Sequence, residues 1–189
     1  MLAGLWARLL TGQVNSSPIA EIGVNYSYSQ LDTFGSDVSH ENGGSVYGEY
    51  LFSPEPSRLF RGMSTLGIAA EFSGTGAASG RFYSYLVGPR FNNEWHKSHL
   101  NAWGEFALAG AHASAYAPPV AGSGGWISRN GVSFGVADGL DVVLKKRYMV
   151  HLFQIDFTYV KLPEIPPGSG HGGGDLRISS GFGYRFGER

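Results

Sequence analysis

Apolar and polar residues alternate one for one in separate stretches along this chain, and the last stretch is the clearest. From Leu176 to Phe186, the residues Leu176, Ile178, Phe182, Tyr184 and Phe186 share one parity, while Arg177, Ser179, Gly181, Gly183 and Arg185 share the other. A period of two is the period of a β-strand, so this segment has one apolar face and one polar or very small face. Ala20 to Ser29 repeats it, with Ile22, Val24, Tyr26 and Tyr28 against Glu21, Gly23, Asn25 and Ser27. So does Thr65 to Ser73, with Leu66, Ile68, Ala70 and Phe72 against Gly67, Ala69 and Glu71. Weaker forms of the pattern predict strands over 45–52, 81–89, 100–111, 132–144 and 148–159.

Two of these strands carry irregularities. In 81–89 both faces hold bulk, Phe82 and Leu86 on one and Tyr83, Tyr85 and Val87 on the other, which leaves the register open and admits a bulge. In 132–144 the apolar parity of Val132, Phe134, Val136, Leu140, Val142 and Leu144 is broken by Asp138. Strand 148–159 sets Met149, Phe153, Ile155, Phe157 and Tyr159 against Gln154, Asp156 and Thr158.

The segments between them are polar or rich in glycine and proline, and read as loops over 30–44, 53–63, 74–80, 90–99, 112–130 and 161–175, with a tight basic turn at Lys145–Arg147. None offers a helix long enough for a parallel crossover, so consecutive strands pair antiparallel. An even number of strands in hairpin order closes into a barrel without edges. The predicted fold is therefore all-β, an eight-stranded antiparallel up-and-down barrel over 20–187. Residues 1–19 form an N-terminal segment in which Leu2, Leu5, Trp6, Leu9 and Leu10 make an apolar helical face around Arg8. That face fits the remnant of an export signal and a short amphipathic helix equally.

The same strands suit a soluble barrel or a transmembrane one, which differ in the face turned outward. Composition favours strands, and the placement of the aromatics favours the membrane. Glycine is 29 of 189 residues and aromatics are 14%, and Tyr26, Tyr28, Tyr50, Phe52, Phe72, Phe82, Phe157, Tyr159, Tyr184 and Phe186 gather toward strand ends, where an interfacial girdle needs them. No apolar run reaches the length of a membrane helix, whereas a spanning strand needs only about 9–11 residues. The absence of cysteine excludes disulfides and thiolate chemistry. A formal net charge of −1 gives no basic field for nucleic acid.

In a transmembrane barrel the polar parity points into the lumen. Glu21, Glu49, Glu71, Glu105, Asp141 and Asp156 then face Arg81, Arg177 and Arg185 inside a space about wide enough for side chains, so these groups are expected to pair into a structural lumen network. No catalytic, cofactor-binding or metal site is expected. Six acids on one parity supply a pair at any separation, and so define no hydrolytic site. His96 and His99 beside Glu94 read as a polar turn, and the glycine clusters near 122–125 and 168–174 lack the helix of a phosphate site.

Taken together, Ile22–Tyr28, Leu66–Ser73, Tyr85–Phe91, Phe153–Phe157 and Leu176–Gly187 resemble the small bacterial outer-membrane β-barrels of the eight-stranded OmpA-like superfamily, in the style of uncharacterised acidobacterial members. The resemblance implies an outer-membrane location, lipid around the wall, and insertion by the barrel-assembly machinery, with Phe186 as the terminal aromatic of the assembly signal. Gly187, Glu188 and Arg189 follow that residue, a departure from the family pattern. It further implies a non-enzymatic structural or surface-interaction role, through loops 30–44, 112–130 and 161–175. Two alternatives stand beside it: a soluble lipocalin-like barrel with an apolar ligand, and an outer-membrane lipid-modifying enzyme.

Overall fold

A computed structural model of the protein describes residues 19–32, 39–52, 64–77, 80–95, 99–117, 125–145, 147–161 and 172–187. Eight strands, β1 (Ala20–Asp32), β2 (Ser39–Leu51), β3 (Ser64–Ala77), β4 (Gly80–Trp95), β5 (Leu100–Ala117), β6 (Gly125–Leu144), β7 (Tyr148–Lys161) and β8 (Gly172–Phe186), pair antiparallel in chain order. Pairing of β1 with β8 closes the barrel.

The register sets its shape. Following paired residues once around the wall from Ile22 through Gly48, Ala70, Val87, Leu108, Phe134, Tyr159 and Gly174 returns to β1 at Asp32, a stagger of ten residues. Eight strands with that stagger tilt by roughly 40° from the barrel axis, given about 3.4 Å per residue and about 4.8 Å between strands. The interior then holds side chains and little else.

The two faces are inverted relative to a soluble protein. Ile22, Val24, Phe72, Phe106, Phe134, Ile155, Ile178 and Phe182 lie exposed on the outside, while the buried interior is mostly polar and charged. This overturns the soluble lipocalin-like alternative, which needs an apolar interior and a polar exterior. The polar filling sits between two small apolar clusters, Phe82, Ala111, Ala113 and Val160 toward one end and Tyr47, Val143 and Met149 toward the other.

The strands run further than the alternation in the sequence predicts. Residues 90–95, 112–117, 125–130 and 172–175, expected as connections, are paired strand, as are 30–32 and 39–44. Polarity signals a loop in a soluble protein, but here Arg90 and Asn92 are polar because they point inward. The β5–β6 ladder continues to Ala117 and Gly125, although β7 ends at Lys161 opposite Val132. This hairpin therefore runs past the end of β7, while β4 accompanies it as far as Gly80 opposite Ala115.

Two local features depart from the expected faces. β4 keeps one parity throughout, and its inward residues are Phe82, Ser84, Leu86, Gly88 and Arg90. Arg81, expected in the lumen, is consequently on the outward parity and exposed. The irregularity falls instead in β7, where the register shifts between His151 and Gln154, so that Leu152 and Phe153 both face outward. That extra residue reverses the parity before it and turns Met149 inward. His99 and Lys145 occupy the left-handed region, with φ of 57° and 49°, at two tight connections on the end of the barrel where the β1 and β8 termini lie.

Candidate functional site: the lumen network

Small residues on the inner parity leave space for long polar ones. At Gly183 a Cβ would lie 2.6 Å from Tyr47 Oη and 3.2 Å from His151 Nε2, so the missing side chain makes room for that pair. Strand pairing then stacks acids, bases and amides from different strands along the axis.

Three arginines organise the network. Arg90 of β4 donates from Nε and Nη2 to Glu105 Oε2, at 2.8 and 2.7 Å, and its Nη1 lies 3.7 Å from Glu49 Oε2. Its guanidinium is 3.9 Å from the centroid of the Trp103 ring and 5.3 Å from that of Tyr47. Arg177 of β8 donates from Nε to Asp156 Oδ2 at 2.8 Å and from Nη2 to Glu71 Oε1. Arg185 places Nε 2.7 Å from Glu21 Oε1 and donates from Nη1 to Glu94 Oε2 at 3.2 Å.

Among the described residues eight carboxyl side chains are buried, and five of them, Glu21, Glu49, Glu71, Glu105 and Asp156, lie against these three guanidinium groups. Amides separate the acids. Gln154 Nε2 donates to Glu71 Oε2 and Asp156 Oδ1, at 3.1 and 2.8 Å, and its Oε1 accepts from Asn25 at 3.2 Å. Asn92 donates to Glu49 Oε1 at 2.6 Å, and Asn101 donates to Asn92 Oδ1 and Asp141 Oδ2, both at 3.2 Å. Thr75 donates to Glu41 at 2.7 Å, and Ser29 donates to Asp175. Buried ions held in this way are expensive to orphan.

Tyr47, His151 and Asp141 form a row, with Tyr47 Oη 2.5 Å from His151 Nε2 and His151 Nδ1 2.6 Å from Asp141 Oδ1. The order resembles a catalytic relay, and all three residues are buried. A cavity of about 10 Å³ lined by Glu71, Leu86, Glu105, Asp156 and Thr158 has room for a single water. The arrangement binds β2, β6 and β7 to one another.

Of the residues expected in the lumen, Glu21, Glu49, Glu71, Glu105, Asp141, Asp156, Arg177 and Arg185 are buried there, while Arg81 is outside. The network also contains Asn101 and Gln154, which share the polar parity of their strands, and Arg90, Asn92, His151, Glu41 and Asp175, which alternation alone did not single out. Inward parity from Phe82 through Arg90 would have found Arg90 had β4 been extended past Pro89. Phe186 faces outward at the end of β8. Among the described residues no group of His, Asp and Glu could hold a metal ion; His96 lies outside them.

An apolar exterior, a closed ladder and a polar, ion-paired interior define a transmembrane β-barrel of the outer-membrane type. Solved structures share the fold. Neisserial surface protein A superposes with a TM-score of 0.62 at 12% identity, over 90% of this chain and 99% of that one. Ail, the attachment invasion locus protein of Yersinia pestis, gives 0.55 at 16% identity over 88% and 97%. The outer membrane protein OprG of Pseudomonas aeruginosa gives 0.52 at 9% identity over 92% and 99%. No protein-family model and no curated protein matches the sequence.

Proposed function

We propose that the chain is a non-enzymatic outer-membrane barrel that acts at the cell surface, its lumen serving as a structural strut. The observation that carries this reading is the β5–β6 hairpin, which extends past the end of β7 while the lumen beneath it is filled. A packed interior leaves the barrel ends as the places where a partner can be met. The described parts of 30–44, 112–130 and 161–175 lie at the hairpin's end, and 33–38, 118–124 and 162–171 are outside the described residues.

That end also carries cations. Arg81 and Lys161 are exposed and terminate the outward rows of β4 and β7, and Arg129 is half-buried on the inward parity of the part of β6 that runs past β7. Their chemistry suits an anionic surface such as sulfated or phosphorylated sugar. Ail has been crystallised with the heparin analogue sucrose octasulfate, a likeness of fold that supports trying the same class of ligand here. Long connections conventionally face outward in such barrels, and the termini then lie in the periplasm.

The test is attachment of cells displaying the chain to immobilised heparin, alongside ion conductance of the folded barrel in a planar bilayer. The reading expects attachment that falls when 118–124 and 162–171 are replaced by short Gly-Ser turns, and no steady conductance. Attachment unchanged by the replacement, or a stable open channel, overturns it.

A further inference from the structure

The outward row of β6 runs Leu144, Val142, Leu140, Asp138, Val136, Phe134 and Val132, so a carboxylate stands at its centre with three apolar residues on either side. Its paired neighbours are Gly104 on β5 and Ile155 on β7. Among the described residues Asp138 is the one charged side chain on the outer wall between the two rims. It is exposed and has no side-chain partner among them.

A carboxylate facing lipid at mid-depth is costly, and in membrane proteins such groups face protein or water. The local wall is shaped to meet another surface. Gly104 would place a Cβ 3.0 Å from Asp138 Oδ1, so the carboxylate leans over a position without a side chain. Ala102 continues the depression on β5, while Leu140 stands beside it on β6. Small residues permit close approach of walls in a membrane, and a polar group at the contact holds them together.

We propose that the β5–β6 seam centred on Asp138 is an in-membrane interface at which the barrel pairs with a second copy of itself. The inference rests on the transmembrane reading. Symmetry selects the occupant: a twofold axis along the membrane normal keeps every residue at its own depth, so the two Asp138 side chains meet without any further adjustment. Two carboxyls brought together share a proton, the protonated one donating its O–H to an oxygen of the other. The same axis sets Leu140 of each copy opposite the Ala102–Gly104 depression of the other. A different membrane protein would have to present a donor at that one depth.

The test uses the full chain folded into bilayers at low protein-to-lipid ratio, with folding of each variant checked by its shifted migration on an unboiled gel. Because the chain has no cysteine, Ala102→Cys can be cross-linked by a short bismaleimide, and Val24→Cys, in the outward row of β1 on the opposite wall, is the control. The proposal expects a dimer from Ala102→Cys and none from Val24→Cys. Adding Asp138→Leu should weaken dimerisation roughly tenfold, the order of one polar contact in a membrane. Asp138→Asn, whose amide also carries donor and acceptor, should retain it. Equal cross-linking at both cysteines, none at either, or a dimer indifferent to Asp138→Leu overturns the proposal. Failure of the transmembrane reading would show separately, as wild-type protein that stays in solution without detergent or lipid.

Discussion

Arg90 gives two hydrogen-bond donors to a single oxygen of Glu105, Nε at 2.8 Å and Nη2 at 2.7 Å, while its guanidinium plane covers Trp103. Ion pair and ring stack together fix β4 to its neighbour β5 on the lumen face, at a point where the ladder between the two strands is interrupted, between Val87↔Leu108 and Arg90↔Glu105.

Replacing Arg90 by Met strips the guanidinium from Glu105 and Glu49 while keeping most of the volume. Leaving buried carboxylates without their cation should cost about 3–5 kcal/mol in urea unfolding of the barrel in bilayers. Arg90→Lys keeps a charge but loses the fork and the stack, so the loss should be intermediate. An unfolding midpoint unchanged by Arg90→Met would remove this residue from the network.

Arg81 and Arg177 provide the complementary comparison. Arg177 is buried against Glu71 and Asp156, whereas Arg81 is exposed on the outer parity. Arg177→Ala should therefore destabilise by about 3–5 kcal/mol, and Arg81→Ala should stay within about 0.5 kcal/mol. Equal losses in the same unfolding experiment would mean that β4 is assigned the wrong face.

At Gly88 the walls approach so closely that a Cβ would fall 1.8 Å from the Phe106 carbonyl oxygen and 2.7 Å from Ala107 Cα. Both obstacles are backbone, which cannot swing aside as a side chain can. Gly88→Ala should destabilise by at least about 1–3 kcal/mol, and Gly125→Ala, with nothing within 4 Å, should be neutral. Circular dichroism melts of the two folded variants would separate them.

Tyr47→Phe deletes the hydroxyl 2.5 Å from His151 Nε2 without altering packing. Stranding a buried imidazole nitrogen should cost about 1–3 kcal/mol. If Tyr47 were instead part of a reaction centre, the variant would keep its stability and lose an activity.

The alternation in the sequence was enough to show eight strands, their order and most of the inner parity, because a membrane barrel repeats a two-residue code in every strand. What it hid follows from the same inversion. Arg90, Asn92 and Glu94 look like a loop when polarity is taken to mean water, yet in this fold polarity marks the lumen. The bulge at Leu152 and Phe153 was invisible because both residues are apolar, and Met149 was assigned to the wrong face in consequence. Asp138 stood out as an error in the pattern. The structure keeps it on the outer wall, with no register shift to draw it inward.

The central claim, that the alternating faces are lipid outside and a polar lumen inside, is tested most directly by a cysteine scan along β3. An environment-sensitive fluorophore on single cysteines at Ile68, Ala69, Ala70, Glu71, Phe72 and Ser73 would be read in bilayers whose acyl chains carry bromine. Ile68, Ala70 and Phe72 are outward in the structure, and Ala69, Glu71 and Ser73 are buried. Strong quenching at the first three and weak quenching at the others is the predicted result. Quenching with the opposite phase, or with no period of two, would contradict it.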